Sequence, residues 1–126
     1  MTALLAEASL RADERVLVDR YVQELRKRLG SELHGVWLFG SRARGEEPGE
    51  DSDIDLVVFV DDASMDSRMA VRMIVDEVAR KLGLDALAWY FSVHVHTLDW
   101  LAQRREIRSF FVAELDRDKV VLYEDA

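Results

Sequence analysis

A chain of 126 residues, 49% hydrophobic and 33% charged, has material for one domain with a core of its own and not for two, so residues 1–126 are expected to fold as a single domain. It has no cysteine, which excludes disulfides, thiolate zinc sites and a cysteine nucleophile and suits the cytoplasm. A formal charge of −8 repels phosphate backbones, so non-specific nucleic-acid binding is not expected. With no basic, apolar leader and no run of the ~18 apolar residues a membrane span requires, the expectation is a soluble cytoplasmic protein.

In chain order, residues 10–29 set Val18, Tyr21, Val22, Leu25 and Leu29 at helical spacing, and Gly30 follows as a stop signal. Val36-Trp37-Leu38-Phe39 is a short apolar, β-prone run ending at Gly40, read as a buried strand. Residues 41–52, with Gly45, Pro48, Gly49 and several acids, read as a loop. Ile54 to Val60 is the strongest strand, apolar on both faces after Asp55, as a central strand covered on both sides would be. Residues 66–82 read as a helix with Ala70, Met73, Ile74, Val78 and Leu82 on its inner face and Gly83 at its end. Residues 89–96 alternate: Trp89, Phe91, Val93 and Val95 share one face, and Tyr90, Ser92, His94 and His96 the other. Thr97 caps a helix from Leu98, a second helical stretch carries Ile107, Phe110, Phe111 and Leu115, and Val120 to Tyr123 closes the chain as a strand. The order α-β-loop-β-α-β-α-α-β predicts a layered α/β domain. Core packing accounts for Trp37, Phe39, Trp89 and Phe91, and core or interface packing for Trp100, Phe110 and Phe111.

The chemistry-bearing stretch is Leu38-Phe39-Gly40-Ser41-Arg42-Ala43-Arg44-Gly45, then Ser52-Asp53-Ile54-Asp55-Leu56. Residues two apart on a strand point to one face, so Asp53 and Asp55 project together while Ile54 and Leu56 enter the opposite layer. Adjacent carboxylates repel, and a divalent cation offsets the repulsion. Magnesium is commonly held by one or two carboxylates plus substrate phosphates, which makes this pair a candidate anchor for a metal-triphosphate. Gly40 at the strand end allows close approach to the backbone. Ser41 offers a hydroxyl and an N–H to a phosphate oxygen, and Arg42 and Arg44 offer paired donors to a triphosphate. Phosphate and metal holders on neighbouring strands suit phosphoryl or nucleotidyl transfer.

These segments resemble the DNA polymerase β-like nucleotidyltransferase superfamily, especially its stand-alone minimal nucleotidyltransferases. Phe39-Gly40-Ser41, eleven intervening residues and Asp53-Ile54-Asp55-Leu56 follow that family's signature. The resemblance implies a fold of the α+β type, a small mixed β-sheet flanked by helices. It implies Asp53 and Asp55 as catalytic metal ligands for Mg²⁺ or Mn²⁺, and Gly40 and Ser41 as contacts to the β- and γ-phosphates. The implied reaction moves a nucleoside monophosphate, AMP from ATP by preference, to an acceptor hydroxyl. Small members of the family act as antitoxins paired with a helical HEPN-domain toxin, which makes such a toxin the implied partner. Active members place a third acid on the next strand, facing the first two. Here that strand's polar face carries Tyr90, Ser92, His94 and His96, with Asp85 before it and Asp99 after. The competing reading is a catalytically weak or inactive module of the same fold that neutralises or scaffolds a partner by contact. His94 and His96 alone fall short of the three or four protein ligands of a zinc site.

Overall fold

The computed structural model describes residues 8–47 and 53–125. It contains α1 (Ala12–Leu29), β1 (Leu33–Phe39), the one-turn helix α2 (Gly40–Ala43), β2 (Ile54–Val60), α3 (Met65–Leu82), β3 (Phe91–His96), α4 (Leu98–Glu106), α5 (Phe110–Asp118) and β4 (Val120–Glu124). The strands form one sheet in the order β3-β2-β1-β4. β1 is antiparallel to β2 and to β4, while β2 and β3 are parallel, with α3 as the crossover between them. This is the expected α+β arrangement, a small mixed sheet with helices on its flanks.

Charge and capping place the helices. α1 has Asp13 and Glu14 in its first turn and Arg26, Lys27 and Arg28 in its last, each complementing the helix dipole. The Arg11 amide donates to Glu14 Oε1 at 2.8 Å, which occupies a backbone donor at the helix entry. Ser64 caps α3 by accepting from the Ser67 amide, and Gly83 ends it at φ 72°, a left-handed conformation that glycine adopts without steric cost. α1 buries Leu17, Val18, Tyr21, Val22 and Leu25, and Tyr21 Oη donates to the Val71 carbonyl of α3 at 2.8 Å.

Both faces of the central strands are covered, as the unbroken apolar run of β2 predicts. Val36, Leu38, Ile54, Leu56, Val58, Phe91 and Val95 pack under α1 and α3. On the opposite face Trp37, Val57 and Phe59 pack against Leu101 of α4 and Val112 and Leu115 of α5. Each such side chain contributes ~1.5–3 kcal/mol through burial. No helix among the described residues is long and apolar enough to cross a membrane.

Four expectations need correction. The inner stripe of α3 is Val71, Ile74, Val75, Val78 and Ala79, while Ala70 is exposed and Met73 lies outside with Met65 and Met69. The helix is apolar around more than half its girth, and the branched side chains, rather than the methionines, pack on the sheet. Second, β3 starts at Phe91, because residues 85–90 form a 3-10 turn whose local hydrogen bonds replace strand pairing. The Arg72 guanidinium donates to the carbonyls of Ala88 and Phe91 and ties that turn to α3. Two-residue alternation therefore does not reach Trp89, which is 88% exposed instead of in the core, nor Tyr90, which is exposed. Third, Ile107 and Arg108 form the turn between α4 and α5 instead of joining a helix, and Phe110 and Phe111 are exposed while Val112 and Leu115 face inward. Fourth, the expected loop opens with α2 at Gly40–Ala43; its residues 48–52 lie outside the described part of the chain.

Candidate active site

Strand register assembles the site. Asp55, on β2, lies opposite Phe39 of β1 and opposite Ser92 of β3, so these three side chains share one face of the sheet. Asp53 immediately precedes β2 and is exposed, whereas Asp55 is half-buried. Burial pushes the Asp55 carboxyl above the ordinary carboxylate range and the neighbouring charge of Asp53 adds to the rise, while His94 and Arg44 pull the other way.

The chain turns at Gly40, with φ 77°, directly against this carboxylate. A Cβ on Gly40 would stand 2.5 Å from Asp55 Oδ2 and 3.4 Å from its Cγ. Glycine is favoured here twice over, by the backbone conformation and by the side chain that occupies the missing Cβ's space. The result is a notch in which bare backbone and a carboxylate oxygen lie side by side, with half-buried Ser41 next in the chain.

The two arginines part company. Arg42 is turned inward, and its Nη1 and Nη2 donate to Glu14 Oε1 and Oε2 at 2.8 and 3.1 Å, with both side chains 3% exposed. Nη1 also donates to the Ser9 carbonyl at 3.0 Å, while the Ser9 amide donates to the Arg42 carbonyl at 2.8 Å. Burial raises the Glu14 carboxyl's pKa, but the hydrogen bonds from Arg42 and from the Arg11 amide, together with their charges, outweigh it and hold it below the ordinary value. The expectation that Arg42 reaches the nucleotide conflicts with this geometry, because its planar fork is spent on a bidentate buried pair that fastens α2 to α1. Arg44 stays exposed, with its guanidinium on Glu46 at 2.7 Å and on Asp118 of α5 at 3.1 Å.

The third expected acid is absent from β3 among the described residues. Ser92 stands in register with Asp55 and His94 with Val57, and Ser92 Oγ is 3.4 Å from His94 Nε2. Asp85 lies elsewhere, lining a cleft of about 330 Å³ with Arg72, Asp76, Arg80 and Trp89. Asp99 is in the first turn of α4. No group of three or more metal-ligating side chains occurs among the described residues. Two hard carboxylate donors, one of them half-buried beside a like charge, fit a magnesium ion that keeps its other positions for water and phosphate. Asp53 and Asp55 are the residues that would hold it.

Sequence reasoning missed two participants. Glu14 continues the apolar stripe of α1 at positions 14, 17, 18, 21, 22 and 25, and an acid at such a position signals a buried partner. Phe111 was assigned to packing alone, yet its ring stands 5.6 Å from that of Phe39, the register partner of Asp55, and 6.0 Å from that of His94.

A family model, the nucleotidyltransferase domain, matches residues 18–109, well over half of the chain. Comparison with curated proteins gave no match. Among solved structures the chain is similar to a toxin–antitoxin complex with AMP-PNP, at 18% identity over 85% of this chain and 73% of that one, with a TM-score of 0.51. A mutant MntA–HpeT toxin–antitoxin complex is alike at 16% identity, 85% and 73% coverage and a TM-score of 0.51. A Sulfolobus solfataricus protein assigned as a nucleotidyltransferase is alike at 22% identity, 86% and 78% coverage and a TM-score of 0.50. At these identities the likeness is one of fold. The family match, however, runs through both the Gly40-Ser41 turn and the Asp53–Asp55 strand that meet at the notch, and the chain therefore belongs to the nucleotidyltransferase domain family.

Proposed function

We propose that this protein transfers a nucleoside monophosphate, AMP from ATP, to a hydroxyl of a protein partner in a Mg²⁺- or Mn²⁺-dependent reaction. The observation that carries the reading is the notch, where the Gly40 backbone lies against Asp55 Oδ2 closely enough that no side chain fits between them. A phosphate oxygen bound on that backbone and a cation bound on that carboxylate would be neighbours. When bound, the metal supplies charge neutralisation for the triphosphate and for the leaving pyrophosphate. Asp53 and Asp55 hold it, Gly40 and Ser41 bind the β- and γ-phosphates through backbone donors and the serine hydroxyl, and Arg44 adds charge from the rim. The acceptor oxygen bonds to the α-phosphorus as the α–β bridging bond breaks, pyrophosphate leaves with the electron pair, and the hydroxyl proton passes to solvent.

A HEPN-type toxin is the proposed acceptor. The resemblance to minimal nucleotidyltransferases supports it, as do two fold neighbours that are toxin–antitoxin complexes, one of them with AMP-PNP. A cytoplasmic setting goes with such a pair. A second reading, a module that neutralises its partner by contact without transfer, is favoured by one observation: Ser92, not an acid, faces Asp55.

The test is incubation with α-labelled ATP, Mg²⁺ and the product of the neighbouring gene, using wild type and an Asp53→Asn, Asp55→Asn double variant. Label on the partner with wild type alone supports transfer. A Mg²⁺-ATP-dependent rise in melting temperature without label supports the contact module. Equal responses from the two proteins would remove these carboxylates from the site.

A further inference from the structure

We infer that Phe111 is the platform on which the base of the nucleoside triphosphate stacks, with a purine favoured; this rests on the nucleotidyl-transfer reading of the notch. Phe39 immediately precedes Gly40 and lies opposite Asp55, so its ring and that carboxylate share a sheet face. The Phe111 ring centroid is 5.6 Å from that of Phe39, so a single ring separates it from the Asp55 side of the notch. His94 and Trp100 complete its surroundings at 6.0 and 6.3 Å.

The ring angles show which neighbours are stacked. Phe39, His94 and Trp100 meet it at 83°, 41° and 63°, so none of them lies parallel to it. By contrast His96 and Trp100 are stacked 3.6 Å apart at 6° and already occupy one another's faces. Phe111 is 36% exposed, beside Phe110 at 88%. Both side chains open to water, whereas core packing alone would draw them inward with Val112 and Leu115.

A nucleoside triphosphate has the matching layout. Its charged end belongs at Gly40, Ser41 and Asp55, its sugar spans the breadth of Phe39, and its flat base meets the unstacked ring beyond. Aromatic stacking tolerates any base but grows with ring area, which favours a purine over a pyrimidine.

The experiment measures Mg²⁺-dependent binding of ATP, CTP and inorganic tripolyphosphate by calorimetry, without a partner protein. Phe111→Ala should weaken ATP about tenfold, within the range of base–aromatic stacking, weaken CTP less, and leave tripolyphosphate unchanged. Phe111→Trp should retain ATP affinity and Phe111→Leu should weaken it about as much as alanine does, which separates stacking from apolar bulk and stands even if the alanine variant folds poorly. ATP affinity unchanged by Phe111→Ala and Phe111→Leu, or ATP and tripolyphosphate weakened equally, overturns the inference. Wild type that binds tripolyphosphate as tightly as ATP overturns it too, while leaving the notch as a phosphate site. Wild type that binds none of the three overturns the transfer reading itself.

Discussion

Gly40→Ala adds one methyl group to the notch and tests its geometry directly. The new Cβ would lie 2.5 Å from Asp55 Oδ2, so that oxygen must withdraw to the 3.4 Å or more of ordinary contact. The obstructing atom is the end of a side chain with freedom to rotate, so the chain still folds. Moving that carboxylate has its own cost, and to it is added that of a non-glycine residue at φ 77°, about 1–2 kcal/mol. For a chain this size that lowers the melting temperature by several degrees. The larger loss is functional, since the carboxylate is driven from the place where it meets both the Gly40 backbone and Asp53. Scanning calorimetry with and without Mg²⁺-ATP, at a hundredfold excess over the wild-type dissociation constant, reads both effects. Wild type should gain ~2.7 kcal/mol from the ligand and Gly40→Ala almost none of it. In an Asp55→Ala background the obstruction is gone, and Gly40→Ala should cost only its backbone share. A Gly40→Ala protein with the full ligand-induced shift, or with the same cost in both backgrounds, would refute the argument.

Glu14→Gln leaves the buried Arg42 guanidinium beside a neutral amide and should cost up to about 3–5 kcal/mol, the range for breaking a buried pair. Because the Glu14 carboxyl is held below its ordinary 4.5, the pair's stability is complete above that value and is lost as pH falls through the lowered one. Urea titrations of wild type and variant should converge in acid; a gap that stays constant with pH would contradict the assignment. His34 bridges Asp61 and Asp125, and its hydrogen bonds to them raise its pKa above 6.5. Its contribution is therefore complete below 6.5 and lost as pH rises through the raised value, a modest effect at this partly exposed site. His34→Gln should remove that alkaline decline in the urea midpoint, and an unaltered decline would place its cause elsewhere. Ser92→Asp puts a carboxylate in register with Asp55 and should strengthen Mn²⁺ binding by calorimetry more than His94→Asp, whose register partner is Val57. Equal or absent gains would mean that β3 does not face the metal site.

The family and the placement of the motif were legible in local sequence because both depend on short-range regularities. An apolar run ended by Gly40 and the two-residue spacing of Asp53 and Asp55 on a strand survive whatever packs around them. The covering of β2 on both faces followed likewise from its unbroken apolar run. The sequence could not say which arginine points where. Arg42 and Arg44 are alike in type and adjacent in motif, yet Arg42 meets Glu14, 28 positions away, and Arg44 meets Asp118, 74 positions away. Pairing across such separations exists only once α1 and α5 are docked beside α2. The inner face of α3 was ambiguous for a related reason: methionine and valine stripes adjoin on one helix, and only the shape of the sheet beneath selects between them. Trp89 and Phe111 carry the same lesson at single positions. Their aromatic character predicts burial, but where their backbone leaves the strand or begins a helix decides exposure, and that is set by how the 85–90 turn and α5 seat on the rest of the fold.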